Sequence, residues 1–166
     1  MTAQLHLILG PVGAGKSTFA HALAGKHRAA LLILDDWMAT LFGADERPET
    51  GRIAWYLERR DRCLDQIWKL TTNLCEVGTS VVLEIGLIQR RDRDAFYARV
   101  NDAGTPLAVY VLDAPRELRR ERVMRRNEEQ GATFAQVVPP EFFELASDMW
   151  EPPDERETAE RAITFV

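Results

Sequence analysis

Lysine is scarce in this chain: Lys16, Lys26 and Lys69 stand against 18 arginines in 166 residues. A position that needed only positive charge would hold arginine here, so a lysine at a special place marks a need for a compact ammonium on a slim stem. Cysteine is nearly absent as well. Cys63 and Cys75 fall within one helical stretch, where about 18 Å of rise would separate them, well beyond disulfide reach. His6, His21 and His27 are scattered, and no Cys/His spacing suits a metal. Long apolar runs are missing too. The longest, Leu5 to Leu9 and Ala29 to Leu34, are far too short to cross a bilayer, and the start lacks the basic and apolar parts of a signal peptide. The expectation is a cytoplasmic protein with no membrane partner. Positive net charge is also lacking: the formal value is −5, which weighs against broad nucleic-acid binding.

What is present is ordinary globular composition, 46% hydrophobic and 28% charged, in a length that fits one domain over residues 1–166. Gln4–Leu9, Ala30–Leu34, Ser80–Gly86 and Leu107–Asp113 read as buried strands, and Ala162–Val166 as a last one. Helical patterns lie between them: Lys16–Lys26, a short helix through Phe42, Ile53–Val77, 90–104, one opened by Pro115, and one near Pro140–Trp150. The tail segment that holds the last of these, "VVPPEFFELASDMWEPPDERE", reads as a rigid wall with no chemistry of its own. Continuous apolar strands spaced by helices indicate a mostly parallel sheet covered on both faces.

Gly10-Pro11-Val12-Gly13-Ala14-Gly15-Lys16-Ser17 fits G-x-x-x-x-G-K-[ST] at every fixed position, with a strand before it and a helix after it. Successive N–H groups in such a turn cradle phosphate oxygens, and the helix adds its unsatisfied N–H groups and positive dipole end. Lys16 would reach the β- and γ-phosphates, and the Ser17 hydroxyl would ligate Mg²⁺. Thr18 completes this nucleotide-binding set. The expected fold is therefore an α/β three-layer P-loop NTPase sandwich with a mostly parallel five-stranded sheet and an arginine-rich lid over about 116–138. A helical acceptor-side region spans about 36–77.

Acids end the second and third strands, on the edge where ligands of open α/β sheets bind. In "LLILDD", Asp35 is the candidate base that would accept a hydroxyl proton. Asp36 either caps the next helix or stands behind the metal. Glu84, ending "VVLE", would touch Mg²⁺ through water, or is merely an acid leaving the sheet. After the fourth strand, six arginines fall between Arg116 and Arg126. Arg122 and Arg126 are the candidates to neutralise a transferring phosphoryl group, and Arg119 to stack on adenine. A solvated, salt-bridged helix is the plainer reading of the same segment. Trp37, Arg60 and Gln89 are the acceptor-side candidates. Arg60 interrupts the apolar stripe of its helix. The aromatic residues there, Trp55 and Tyr56 included, also fit ordinary core packing.

Together the P-loop, the "LDDW" stretch, the acid after the third strand and the arginine-rich segment with Arg126-Asn127 resemble the small P-loop kinases. The nearest pattern is the group of polynucleotide 5′-hydroxyl kinases, zeta toxins and chloramphenicol phosphotransferases, often carried under a generic AAA-family ATPase label. The resemblance implies ATP- and Mg²⁺-dependent transfer of the γ-phosphate to a substrate hydroxyl, with Asp35 as base and lid arginines facing the transition state. Polynucleotide kinases carry an arginine three residues after that aspartate, where this chain has Met38. No sensor arginine or hexamer-forming helical domain points to a ring-forming motor, and no Asn-Lys-x-Asp stretch reads guanine. Three functions stay open: a kinase for a small-molecule or nucleotide-like hydroxyl, a polynucleotide-end kinase, and a slow ATPase or regulatory module. A monomer or homodimer is expected.

Overall fold

The computed structural model describes residues 2–166. Its centre is β1 (Leu5–Leu9), buried at all five positions because strands flank it on both edges and helices cover both faces. β3 (Val81–Glu84) pairs with one edge and β4 (Leu107–Val111) with the other. β2 (Ala30–Ile33) and β5 (Ile163–Phe165) close the sheet in the order β2-β3-β1-β4-β5, and every pairing is parallel.

The period of two splits each strand between two cores. Ile8 and Val82 pack with Ala20, Leu23 and Ala24 of α1 (Lys16–His27) on one face. Leu5, Leu7, Leu9, Val81 and Leu83 face the other way, toward α2 (Leu34–Phe42), α3 (Arg52–Glu76) and α4 (Arg90–Ala103). α5 (Arg116–Glu129) and α6 (Pro140–Asp148) share a third, smaller core of Val123, Val138 and Phe143 with Val12 of the glycine loop against it.

Two local expectations need correction. The strand before "DDW" ends at Ile33, and α2 already includes Leu34, so Asp35 and Asp36 occupy its first turn and neither caps it. Both carboxylates still sit at the positive end of the helix dipole. The segment after Trp150 also holds a short helix, α7 (Glu155–Glu160), whose Glu157 is buried. A window rich in Glu, Arg and Pro gives no apolar period to betray it. Among the described residues no helix is long and apolar enough to cross a membrane.

Candidate active site

Strand register builds one rim. Leu9 lies opposite Val111 and Ile33 opposite Glu84. The glycine loop, Glu84 and the start of α2 therefore leave the sheet side by side. The loop needs its glycines in two places. Gly10 has φ +150°, and a Cβ there would stand 2.3 Å from the Leu112 carbonyl oxygen. At Gly13, φ +79°, a Cβ would meet the Arg119 carbonyl oxygen at 2.7 Å. The loop is thus pressed between β4 and α5, and a side chain at either point would push it off its seat.

α1 begins at Lys16 with Gly15 as its cap residue, no side-chain cap and no acid in its first turn. Its leading N–H groups are left for a ligand, which is the anion seat expected of this motif. Lys16 folds back over the loop, its Nζ donating to the Pro11 carbonyl at 2.9 Å. Enclosure lowers its pKa, and the facing carboxylates of Glu84 and Asp35 oppose that fall. The Ser17 hydroxyl donates to Glu84 Oε2 at 2.8 Å. Glu84 is buried, so it is no acid merely leaving the sheet. Enclosure pushes its carboxyl upward against the pull of Lys16.

Asp35 is exposed in the first turn of α2; the protein crowded around its carboxylate raises its pKa, while Lys16 and Arg126 oppose the rise. A small cavity joins Ser17, Asp35, Asp36 and Arg126 to Thr133 and Gln136 of the loop after α5. That loop is pinned by a reciprocal pair: Asn127 Nδ2 donates to the Val138 carbonyl at 2.8 Å, and the Val138 N–H donates to Asn127 Oδ1 at 3.0 Å. Arg126, the neighbour of Asn127, is thereby held toward the cleft, where its Nε is buried without a partner.

The remaining sequence candidates divide. Pro11, Val12 and Ala14 shape the loop, and Thr18 is exposed in the first turn of α1. Arg122 stands exposed one turn before Arg126, outside the residues that line the cleft. Arg119 differs from its expected adenine-stacking place. It is buried under the loop, donating to the carbonyls of Val12 at 2.9 Å and Ala114 at 3.0 Å and to the Ser147 hydroxyl at 3.1 Å, over the Phe143 ring. Trp37 is half-buried against the large core. Gln89 is the residue before α4 and lines neither the cleft nor the groove next to it. Arg60 bonds Asp61 at 2.8 Å and borders a groove between α3 and α4.

Sequence reading missed the support behind the rim. Arg93 is fully buried and grips Glu157 through two bonds of 2.8 and 2.9 Å, while Tyr97 donates to Glu157 at 2.7 Å. The same guanidinium donates to the carbonyl of Ile88 at 3.2 Å. It thus ties the chain just past β3 to α7.

Mg²⁺ fits the donor chemistry. Ser17 and Glu84 offer hard oxygen donors next to the phosphate seat, and Mg²⁺ is commonly held by one or two carboxylates together with phosphates and water. Among the described residues no group of three or more His, Cys, Asp or Glu side chains could hold a metal ion. Phosphate oxygens and waters would therefore have to complete its shell.

A family model described as an AAA domain matches residues 5–139. No curated protein matches the sequence. Several solved structures share the fold at low identity. A candidate kinase from Chloroflexus aurantiacus is 18% identical with a TM-score of 0.77, the match covering 100% of this chain and 88% of that one. Kti12 of Chaetomium thermophilum, solved with ADP-AlF3, is 17% identical with a TM-score of 0.73, covering 98% and 88%. A chain of the Pnkp1/Rnl/Hen1 RNA repair complex is 19% identical with a TM-score of 0.70 over 96% of this chain, which spans only 46% of that longer one.

Proposed function

The chain belongs to the AAA-domain family, and on that premise we propose that it is a cytoplasmic ATP- and Mg²⁺-dependent phosphotransferase. It would move the γ-phosphate of ATP to a hydroxyl of a small-molecule or nucleotide-like acceptor. The observation that carries this reading is the convergence of Lys16, Asp35, Glu84 and Arg126 beside the empty-capped start of α1. A switch that only binds nucleotide needs the cradle and a carboxylate for Mg²⁺, but it has no use for a base such as Asp35 aimed at an acceptor.

In this reading the loop N–H groups and α1 hold the β-phosphate, and Lys16 swings from the Pro11 carbonyl to the phosphate oxygens. Asp35 takes the proton of the acceptor hydroxyl as its oxygen attacks phosphorus. Its raised pKa suits that task, because a base works best when its pKa lies near the working pH. Arg126, lacking a partner at Nε, meets the charge that builds on the transferred group. Mg²⁺ at Ser17 and Glu84 would neutralise phosphate charge when bound.

Three of the similar structures carry kinase names, and a fourth was solved with ADP-AlF3, which supports nucleotide phosphate chemistry in this fold. A polynucleotide acceptor fits less well. Met38, where polynucleotide kinases carry arginine, is buried in the core.

Transfer from γ-labelled ATP to a panel of hydroxyl compounds tests the reading. Asp35→Asn should cut transfer by about 10²–10⁴-fold while ATP affinity stays nearly unchanged. Lys16→Ala should abolish turnover. Wild-type transfer by the Asp35→Asn protein would remove Asp35 as the base.

A further inference from the structure

Beside the cleft lies a second concavity, of about 180 Å³, between α3, α4 and the end of β3. Its walls are apolar: Leu64, Ile67, Trp68, Leu83, Ile85 and Phe96. Thr71 is buried among them, and its hydroxyl has no hydrogen-bond partner. Charge is confined to Arg60, Asp92 and Arg99. Arg60 is anchored to Asp61 at 2.8 Å, and Arg99 lies over the Trp68 ring at 5.1 Å.

The groove adjoins the catalytic rim where β3 ends. Gly86, which borders it, lies two residues past Glu84 and has nothing within 4 Å of a notional Cβ.

We propose that this groove seats the body of the acceptor, and that the acceptor is a compact ring-bearing alcohol rather than a sugar or polyol. The inference rests on the phosphotransferase reading. A dry cavity of about 150 Å³ accommodates one benzene ring, so this space takes one six-membered ring with a short hydroxyalkyl arm. A polyol would set several hydroxyls against mostly apolar walls whose three charged side chains are already engaged, Arg60 by Asp61, Asp92 by Arg91 and Arg99 by Asp65, which is unfavourable. The Thr71 hydroxyl, unsatisfied in the free protein, supplies the single internal partner for a polar ring substituent. The arm leaves past Gly86 toward Asp35. In the transfer itself the arm oxygen bonds to the γ-phosphorus, the bond to the bridging oxygen of ATP breaks, and the hydroxyl proton passes to Asp35, leaving ADP.

Binding can be read without turnover, from the labelled methyl groups of Ile67 and Ile85, with Ile8 on the far face of the sheet as control. Adding 2-phenylethanol or 2-(4-hydroxyphenyl)ethanol should shift the Ile67 and Ile85 methyls saturably and leave Ile8 still. Glycerol should move none of them. Ala95→Trp plugs the groove from an exposed helix position and should weaken both aryl alcohols at least tenfold with ATP affinity retained. Thr71→Val should erase any preference for the hydroxylated ring while keeping the fold. Stationary Ile67 and Ile85 methyls, glycerol shifts as large as the aryl ones, or full binding by the Ala95→Trp protein would overturn the proposal. So would phosphorylation of a polyol at a rate that Ala95→Trp does not change. Methyl shifts with no transfer to any alcohol would instead sink the phosphotransferase reading and leave the ring-binding groove standing.

Discussion

Two places in the molecule crowd charged side chains together, and they treat them in opposite ways. Around Glu157 every charge is answered: Arg93 binds it twice, Tyr97 donates to it, and the spare guanidinium nitrogen reaches a backbone carbonyl. At the rim the balance is open. Arg126 Nε has no partner, Lys16 reaches only a loop carbonyl, and enclosure raises the pKa of both Asp35 and Glu84. A closed set of charges fixes shape, whereas an open set is completed by something from outside.

Breaking the closed set should cost the most. Glu157→Ala leaves Arg93 buried and unpaired, and should destabilise the protein by about 3–5 kcal/mol in chemical denaturation. A smaller cost than that of an ordinary surface change would erase the contrast. Breaking the open set should cost activity instead. Arg126→Met should slow phosphoryl transfer by about 10²–10³-fold with an unchanged or higher melting temperature. Glu84→Gln sharpens the comparison further, because the buried carboxylate costs stability until a cation joins it. The ligand-free variant should be about 0.5–2 kcal/mol more stable than wild type, a gain common at functional sites.

The smallest expected effect concerns pH. His6 is buried beside His27, and its Nδ1 lies 3.3 Å from the Tyr110 hydroxyl. Burial first, and His27 second, lower its pKa from the usual 6.5. The folded protein therefore holds that proton less readily than the unfolded chain. The stability is intact above about pH 6.5 and falls as pH drops through the lowered folded-state value. Stability measured across pH 7 to 5 should decline less steeply in His6→Gln than in wild type, and equal slopes would show that His6 does not contribute.

How much of this could be read from residues alone follows the same divide. The P-loop is local: its glycines, lysine and helix start lie within one short stretch, so pattern and strand context suffice. Asp35 and Glu84 are legible because one follows and the other closes an apolar strand, and a parallel sheet brings such ends to one edge. Arg126 could be narrowed to one helix but not separated from Arg122 by spacing, since the distinction depends on the loop that Asn127 pins. Arg119 carried no signal for its tether under the loop, because the Val12 carbonyl and the Ser147 hydroxyl that it binds are distant in sequence. Arg93 with Glu157 was invisible for a like reason. In a chain this rich in arginine, a buried guanidinium looks like a solvated one until the fold brings its acid home.

Arg119 has one more consequence. By binding Val12 in the loop and Ser147 on α6, it rivets the first turn of α5 to the glycine loop and to α6. α5 runs unbroken from Arg116 to Glu129, so the backbone of Arg126, about two turns further on, inherits the seat that Arg119 fixes.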